Sequence, residues 1–246
     1  DITYSFYPVW CRLFNIDFKT HPLAEDFRIN AEDYKEPNGG VVIPNPNAPT
    51  SLGEGEGFIR KIMDYNQDSI VIIDEAYVDF GGYSSVLLTK EYENLLVCGT
   101  FSKSRSLAGM RIGFAIGSKA LISVLEAVKN SYNSYTVNSI SMAAGAAAIK
   151  DTDYFKATVS KVIATRQRVT NELRKLGFTV FDSQTNFIFA THGNKSMKEY
   201  FEYLKKHNVF IRYFNLPRID NYVRITIGTD DEMDIFLAET RKFLAK

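Results

Sequence analysis

The chain has 246 residues, 45% of them hydrophobic and 24% charged, which is ordinary for a soluble globular protein and enough for a substantial core. Its 29 basic and 29 acidic residues cancel, so no net field favours nucleic acid or an acidic membrane, and no apolar run is long enough to span a bilayer or form a signal peptide. His21, His192 and His207 are scattered without metal-ligand spacing, and Cys11 and Cys98, far apart in apolar surroundings, read as buried free thiols of a cytosolic protein.

In chain order, residues 40–44 read as a strand and residues 56–65 as a helix with Phe58, Ile59 and Ile62 on one face. Residues 69–74 are apolar without alternation, the pattern of a strand buried on both faces, and residues 94–98 and 112–116 form two more strands. Helices follow over residues 119–129 and over the alanine-rich stretch 137–150. This alternation predicts an α/β architecture, a mostly parallel sheet covered by helices. The pattern then changes. A long amphipathic helix over residues 153–176 leads to short strands at 179–181, 186–189, 209–211 and 223–226, with helices at 197–206 and from Asp231 onward. A smaller α+β domain is expected, with residues 1–150 forming the large domain and residues 151–246 the small one.

Chemistry concentrates where strands end. Thr100-Phe101-Ser102-Lys103-Ser104-Arg105 follows an apolar strand, the place where open α/β sheets put their ligands, and Arg111 comes eight residues after Lys103. An amine, hydroxyls and a guanidinium on one loop suit a phosphorylated aldehyde: the lysine would form the Schiff base while the hydroxyls and arginine hold the phosphate. Ile73-Asp74-Glu75-Ala76-Tyr77 puts two acids at another strand end. A magnesium carboxylate of a nucleotidase would need a G-x-x-x-x-G-K-[ST] loop, which the chain lacks. Asn45-Pro46-Asn47-Ala48-Pro49-Thr50-Ser51 is a turn directly after a strand, and Thr3-Tyr4 and Tyr222-Val223-Arg224-Ile225-Thr226-Ile227-Gly228-Thr229 lie near the two ends. Each motif alone also has a plain structural reading: a solvated lysine, a strand-end acid, a proline-rich turn, a packing tyrosine, a surface arginine.

Together, in this order and with these gaps, the motifs resemble the fold-type I pyridoxal-phosphate aminotransferases, and among them the histidinol-phosphate aminotransferase group. The resemblance runs from Thr3 to Lys246. It implies a large domain of that fold, pyridoxal phosphate as cofactor and no metal. Lys103 would be the Schiff-base lysine and proton shuttle, and Asp74 the partner of the pyridine nitrogen. Tyr77 would bond the ring oxygen, Tyr4 would lie on the ring face, and Thr100, Ser102 and Arg111 would hold the phosphate. Family members commonly read Asn-Pro-Thr-Gly in the turn. Here Ala48 stands in the asparagine's place and Ser51 in the glycine's, leaving Asn47, one residue earlier, to take over the ring-oxygen contact. The resemblance also implies that Arg224 forks the substrate carboxylate, that Arg212 serves the substrate phosphate, and that Asn186 lies near the substrate.

The implied reaction is transamination between histidinol phosphate and the 2-oxoglutarate/glutamate pair, in histidine biosynthesis, by a cytoplasmic enzyme that is a homodimer in its full-length form. A decarboxylase of amino-acid phosphates, an aromatic aminotransferase and a non-catalytic fragment remain alternatives. Family members are longer at the amino terminus, so the chain is expected to be an amino-terminally truncated form that lacks the loop of backbone amides serving the cofactor phosphate.

Overall fold

The structure is a computed structural model that describes residues 1–246. It opens with α1 (Tyr7–Leu13), which has Pro8 in its first turn, where a missing N–H leaves no helical bond unmade. The first sheet contains β1 (Gly40–Pro44), β2 (Ile70–Asp74), β3 (Leu95–Thr100) and β4 (Gly113–Gly117) in the order β1-β2-β3-β4. The first three strands are parallel, and β4 runs antiparallel to β3. The reversal is built into the connecting segment, where the Phe101 N–H donates to the Ile112 carbonyl and the Leu107 N–H to the Phe101 carbonyl.

Helix α2 (Glu56–Tyr65) lies on the sheet and buries Ile59, Ile62 and Met63 against Val41, Ile43, Val71, Ile73, Leu95 and Val97. This covers one face only. Residues 69–74 are therefore not buried on both sides as their composition predicts: Val71 and Ile73 are inaccessible, while Ile70 is 42% exposed. Helices α3 (Lys119–Tyr132) and α4 (Ser139–Lys150) follow, and Val124, Val128, Ile140, Met142 and Ile149 remain exposed on them, continuous in sequence with exposed Phe114 and Ile116 of β4. Cys11 and Cys98 are free, as expected, but half-buried rather than buried.

Helix α5 (Thr152–Lys175) begins at Asp151, whose carboxylate accepts the Tyr154 N–H. It leads to the second sheet, formed by β5 (Phe178–Val180), β6 (Phe187–His192), β7 (Arg212–Tyr213) and β8 (Val223–Thr226), all antiparallel in the order β5-β6-β8-β7. Between β6 and β7 lies α6 (Met197–Lys206), and α7 (Asp230–Leu244) closes the chain behind a Thr229–Glu232 capping box. Sixteen buried residues, among them Val169, Leu173, Ile188, Tyr200, Ile225 and Phe236, make this second core.

The strand expected at residues 209–211 lies instead at Arg212–Tyr213. Asn208 takes a left-handed φ of 60° after α6, and the Val209 N–H returns to the Leu204 carbonyl. Val209 thus belongs to the helix stop, and it packs on the same core as Leu204. A third, small core joins the two sheets: Ile2, Phe27 and Leu52 pack against Phe189 and Ile219.

Candidate active site

The parallel register sets Pro44, Asp74 and Cys98 side by side, so the turn after β1, the acid after β2 and the loop after β3 leave one edge of the sheet together. There Asp74 is held on both oxygens. Its Oδ1 accepts the Ala76 N–H at 3.1 Å and its Oδ2 accepts the Tyr7 hydroxyl at 2.7 Å. Burial, then the carboxylate itself, pushes the Tyr7 phenol far above its ordinary range, and the same two causes raise the Cys98 thiol to about 11. Tyr4 packs edge-on to Tyr7, with centroids 5.4 Å apart, and keeps 44% of its surface open.

Lys103 follows a tight turn in which the Ser102 N–H donates to Thr100 Oγ1 at 3.1 Å and the two hydroxyls lie 2.9 Å apart. Its neighbours are tied down. The buried Ser104 hydroxyl donates to the Asp79 carboxylate, and the Arg105 guanidinium lies on the Phe155 ring while donating to the Ala148 carbonyl. The Lys103 amine makes no ion pair and lies 5.2 Å from the centroid of the Tyr77 ring. Arg111, also in the left-handed region at φ 54°, is exposed and donates to the Ala108 carbonyl at 3.0 Å.

Tyr77 leads across to the second sheet. Its ring meets Phe187 edge-on at 5.1 Å, and the Arg224 guanidinium covers the Phe187 ring at 5.0 Å. Arg224 pairs in register with Arg212 on the adjacent strand, and neither has a carboxylate partner. Burial holds the Arg224 guanidinium below its ordinary range, the like charge of Arg212 adds to this, and Arg224 Nε is buried without any acceptor. Two cations side by side with an unanswered N–H are chemically suited to an anion. Asn186 precedes Phe187 and is half-buried, its carbonyl accepting the Ile227 N–H. Asn47 lies in the turn after β1. It is 4% exposed, its amide donates to the Ile2 carbonyl and Thr50 Oγ1, and its Oδ1 accepts the Thr3 hydroxyl.

The chain matches the family described as aminotransferase class I and II over residues 1–239. It belongs to that family. A histidinol-phosphate aminotransferase of Clostridium botulinum is 52% identical over the whole of this chain, which spans 70% of that relative, and one of Clostridium acetobutylicum is 51% identical with the same coverage. Among solved structures, a histidinol-phosphate aminotransferase from Clostridium acetobutylicum superposes with a TM-score of 0.89 at 24% identity, covering 99% of this chain and 76% of that one.

The structure also brings to this edge Tyr7 and Phe187, to which no sequence motif assigned a role, and it gives the second strand-end acid, Glu75, a structural part. Glu75 is 5% exposed, accepts the Ser84 hydroxyl at 2.8 Å and the Ser85 N–H, and is pushed above the ordinary carboxylate range by burial, which those bonds partly offset. It ties Ser84 and Ser85, beyond the turn that carries Tyr77, back to the end of β2. Glu75→Ala is expected to cost about 1–3 kcal/mol by stranding those donors, whereas Glu75→Gln, which keeps an acceptor for Ser85, should cost less than about 1 kcal/mol. Urea unfolding of both variants checks this, and equal losses would remove the role.

Proposed function

We propose that this aminotransferase moves the amino group of histidinol phosphate to 2-oxoglutarate, with pyridoxal phosphate as cofactor, in cytoplasmic histidine biosynthesis. The observation that carries the reading is the continuous line Lys103–Tyr77–Phe187–Arg224, which sets a free amine and an unpartnered arginine pair at the two ends of an aromatic bridge. The half-identity to histidinol-phosphate aminotransferases along the whole chain supports the choice of substrate.

The donor set fits the cofactor: a lysine amine without an ion pair, a strand-end carboxylate, a phenol, and a hydroxyl-rich turn with an arginine nearby. Pyridoxal phosphate, when bound, supplies an aldehyde that captures amines and a protonated ring that draws electrons from the neighbouring carbon. Asp74 would hold the proton at the ring nitrogen, its carboxylate already oriented by Ala76 and Tyr7. Tyr4 offers its open ring to one face. Tyr77 would donate to the ring oxygen; Ala48 has no polar group to offer and the Asn47 amide is engaged with Ile2 and Thr50. Thr100 braces Ser102, and Ser102 and Arg111 would hold the phosphate. Lys103 Nζ, free of any ion pair, would take up the proton of the substrate α-carbon and return it. Arg224 binds the α-carboxylate of glutamate, Arg212 joins it for the phosphate of histidinol phosphate, and Asn186 lines the substrate side.

On this reading residues 1–150 hold the cofactor and residues 151–246 close over the substrate. The exposed apolar side chains of β4, α3 and α4 fit a chain that works as a homodimer. The test mixes the purified chain with pyridoxal phosphate and records its visible spectrum. Glutamate formation from histidinol phosphate and 2-oxoglutarate is then assayed beside CO₂ release from an amino-acid phosphate. Glutamate with no CO₂ is the expected result; CO₂ without glutamate, or no bound chromophore even at saturating pyridoxal phosphate, would overturn the proposal.

A further inference from the structure

We propose that Arg166 is the positioning residue that locks Tyr77 against Phe187, and thereby sets the spacing between Lys103 and Arg224 across the junction of the two sheets. The inference rests on the functional reading above, but its geometry is independent of it. Arg166 lies in the middle of α5, and one of its guanidinium nitrogens, Nη1, donates both to the Phe80 carbonyl at 2.9 Å and to the Thr185 carbonyl. Phe80 belongs to the first half of the chain and Thr185 to the second.

Each carbonyl is one short turn from a site residue. The Phe80 N–H donates to the Tyr77 carbonyl at 3.1 Å, and the turn ends at Gly81, whose φ of 114° only glycine adopts readily. On the other side, the Phe187 N–H donates to Thr185 Oγ1 at 3.2 Å, and Thr185 is fully buried. Moving Phe80 relative to Thr185 therefore moves the Tyr77 ring relative to the Phe187 ring, which now meet edge-on at 5.1 Å.

Arg166 is half-buried and makes no ion pair, and burial alone depresses its pKa. A guanidinium in such a place is costly unless its donors are used. The two N–H bonds of Nη1 lie at a fixed angle in the guanidinium plane, which suits them to gripping acceptors that must stay at a set separation. An apolar side chain would fill the same space on α5 but would grip neither carbonyl.

The experiment uses the full chain without cofactor and reads hydrogen exchange by mass spectrometry, comparing wild type with Arg166→Met. Peptides over residues 77–82 and 185–188 are expected to exchange roughly tenfold faster together, while peptides of α7 and β8 keep their rates. In the cofactor-loaded chain, the KM for 2-oxoglutarate should rise about tenfold with a smaller change in kcat, because substrate placement suffers before proton transfer does. Arg166→Ala should recover slow exchange in both peptides when guanidinium is added at concentrations far below denaturing. If Arg166→Met does not fold, the same comparison on Arg166→Gln decides. A rise in one peptide alone, a uniform rise across the chain, or no rescue by guanidinium would each assign Arg166 to packing and overturn the proposal. Because exchange is read without cofactor, failure of the clasp is distinguishable from failure of the assigned reaction.

Discussion

Lys103→Ala is expected to give a folded chain with at least about a 10⁴-fold loss of amino transfer, the upper end of what a positioned proton carrier supplies. Folding should survive because the Lys103 side chain takes part in no hydrogen bond or ion pair. The turn around it is held by Thr100, Ser102 and the Phe101–Ile112 bond, and beyond it by Ser104 and Arg105. Substitutions away from such contacts usually change stability by less than about 0.5 kcal/mol. The amine itself has no substitute nearby: Lys103 is the one lysine against the Tyr77 ring. Borohydride reduction of the pyridoxal-phosphate-loaded wild type, followed by peptide mapping, should place the pyridoxyl group on Lys103, and Lys103→Ala should carry none there. Label on another lysine, or amino transfer at the wild-type rate in Lys103→Ala, would defeat the assignment.

The residues that sequence reading finds in this chain are those whose position follows from a local pattern. Apolar runs bounded by polar breaks mark β1, β2 and β3, and the acids, hydroxyls and lysine just past them are then at a sheet edge by construction. Helices α2 and α6 begin and end where their periodicity does. Helix α1 carries no such signal. Its seven residues bury nothing, and it is placed by Tyr7, whose hydroxyl reaches an acid 67 positions away. Phe187 and Arg166 escape for the same reason, since a phenylalanine in a strand and an arginine in a long helix look like core and surface until the two sheets are brought together. A motif one residue out of step offers Asn47 as a cofactor ligand; the fold engages its amide with Ile2, Thr3 and Thr50, a long-range anchor of the amino-terminal segment that no local pattern announces.

Arg224→Met should separate a binding arginine from a structural one. Each charge-assisted hydrogen bond to a carboxylate contributes about 1.5–3 kcal/mol, so losing a two-pronged contact should raise the KM for 2-oxoglutarate by about 10²-fold or more. Arg224→Lys keeps the charge but not the planar fork and should fall between the two. Arg212→Met should weaken histidinol phosphate, which offers a dianionic phosphate to both arginines, more than 2-oxoglutarate, whose α-carboxylate sits on Arg224. Stability should move the opposite way from affinity. The folded chain holds Arg224 half-buried beside Arg212 with its Nε unanswered, and its lowered pKa means that folding disfavours the charge. Methionine removes that repulsion and the stranded N–H while keeping contact with Phe187, so the melting temperature should be unchanged or higher. Thermal unfolding and steady-state kinetics on the same preparations check both halves. A lower melting temperature with an unchanged KM would make Arg224 a strut of the second sheet and would leave the substrate anion to other groups.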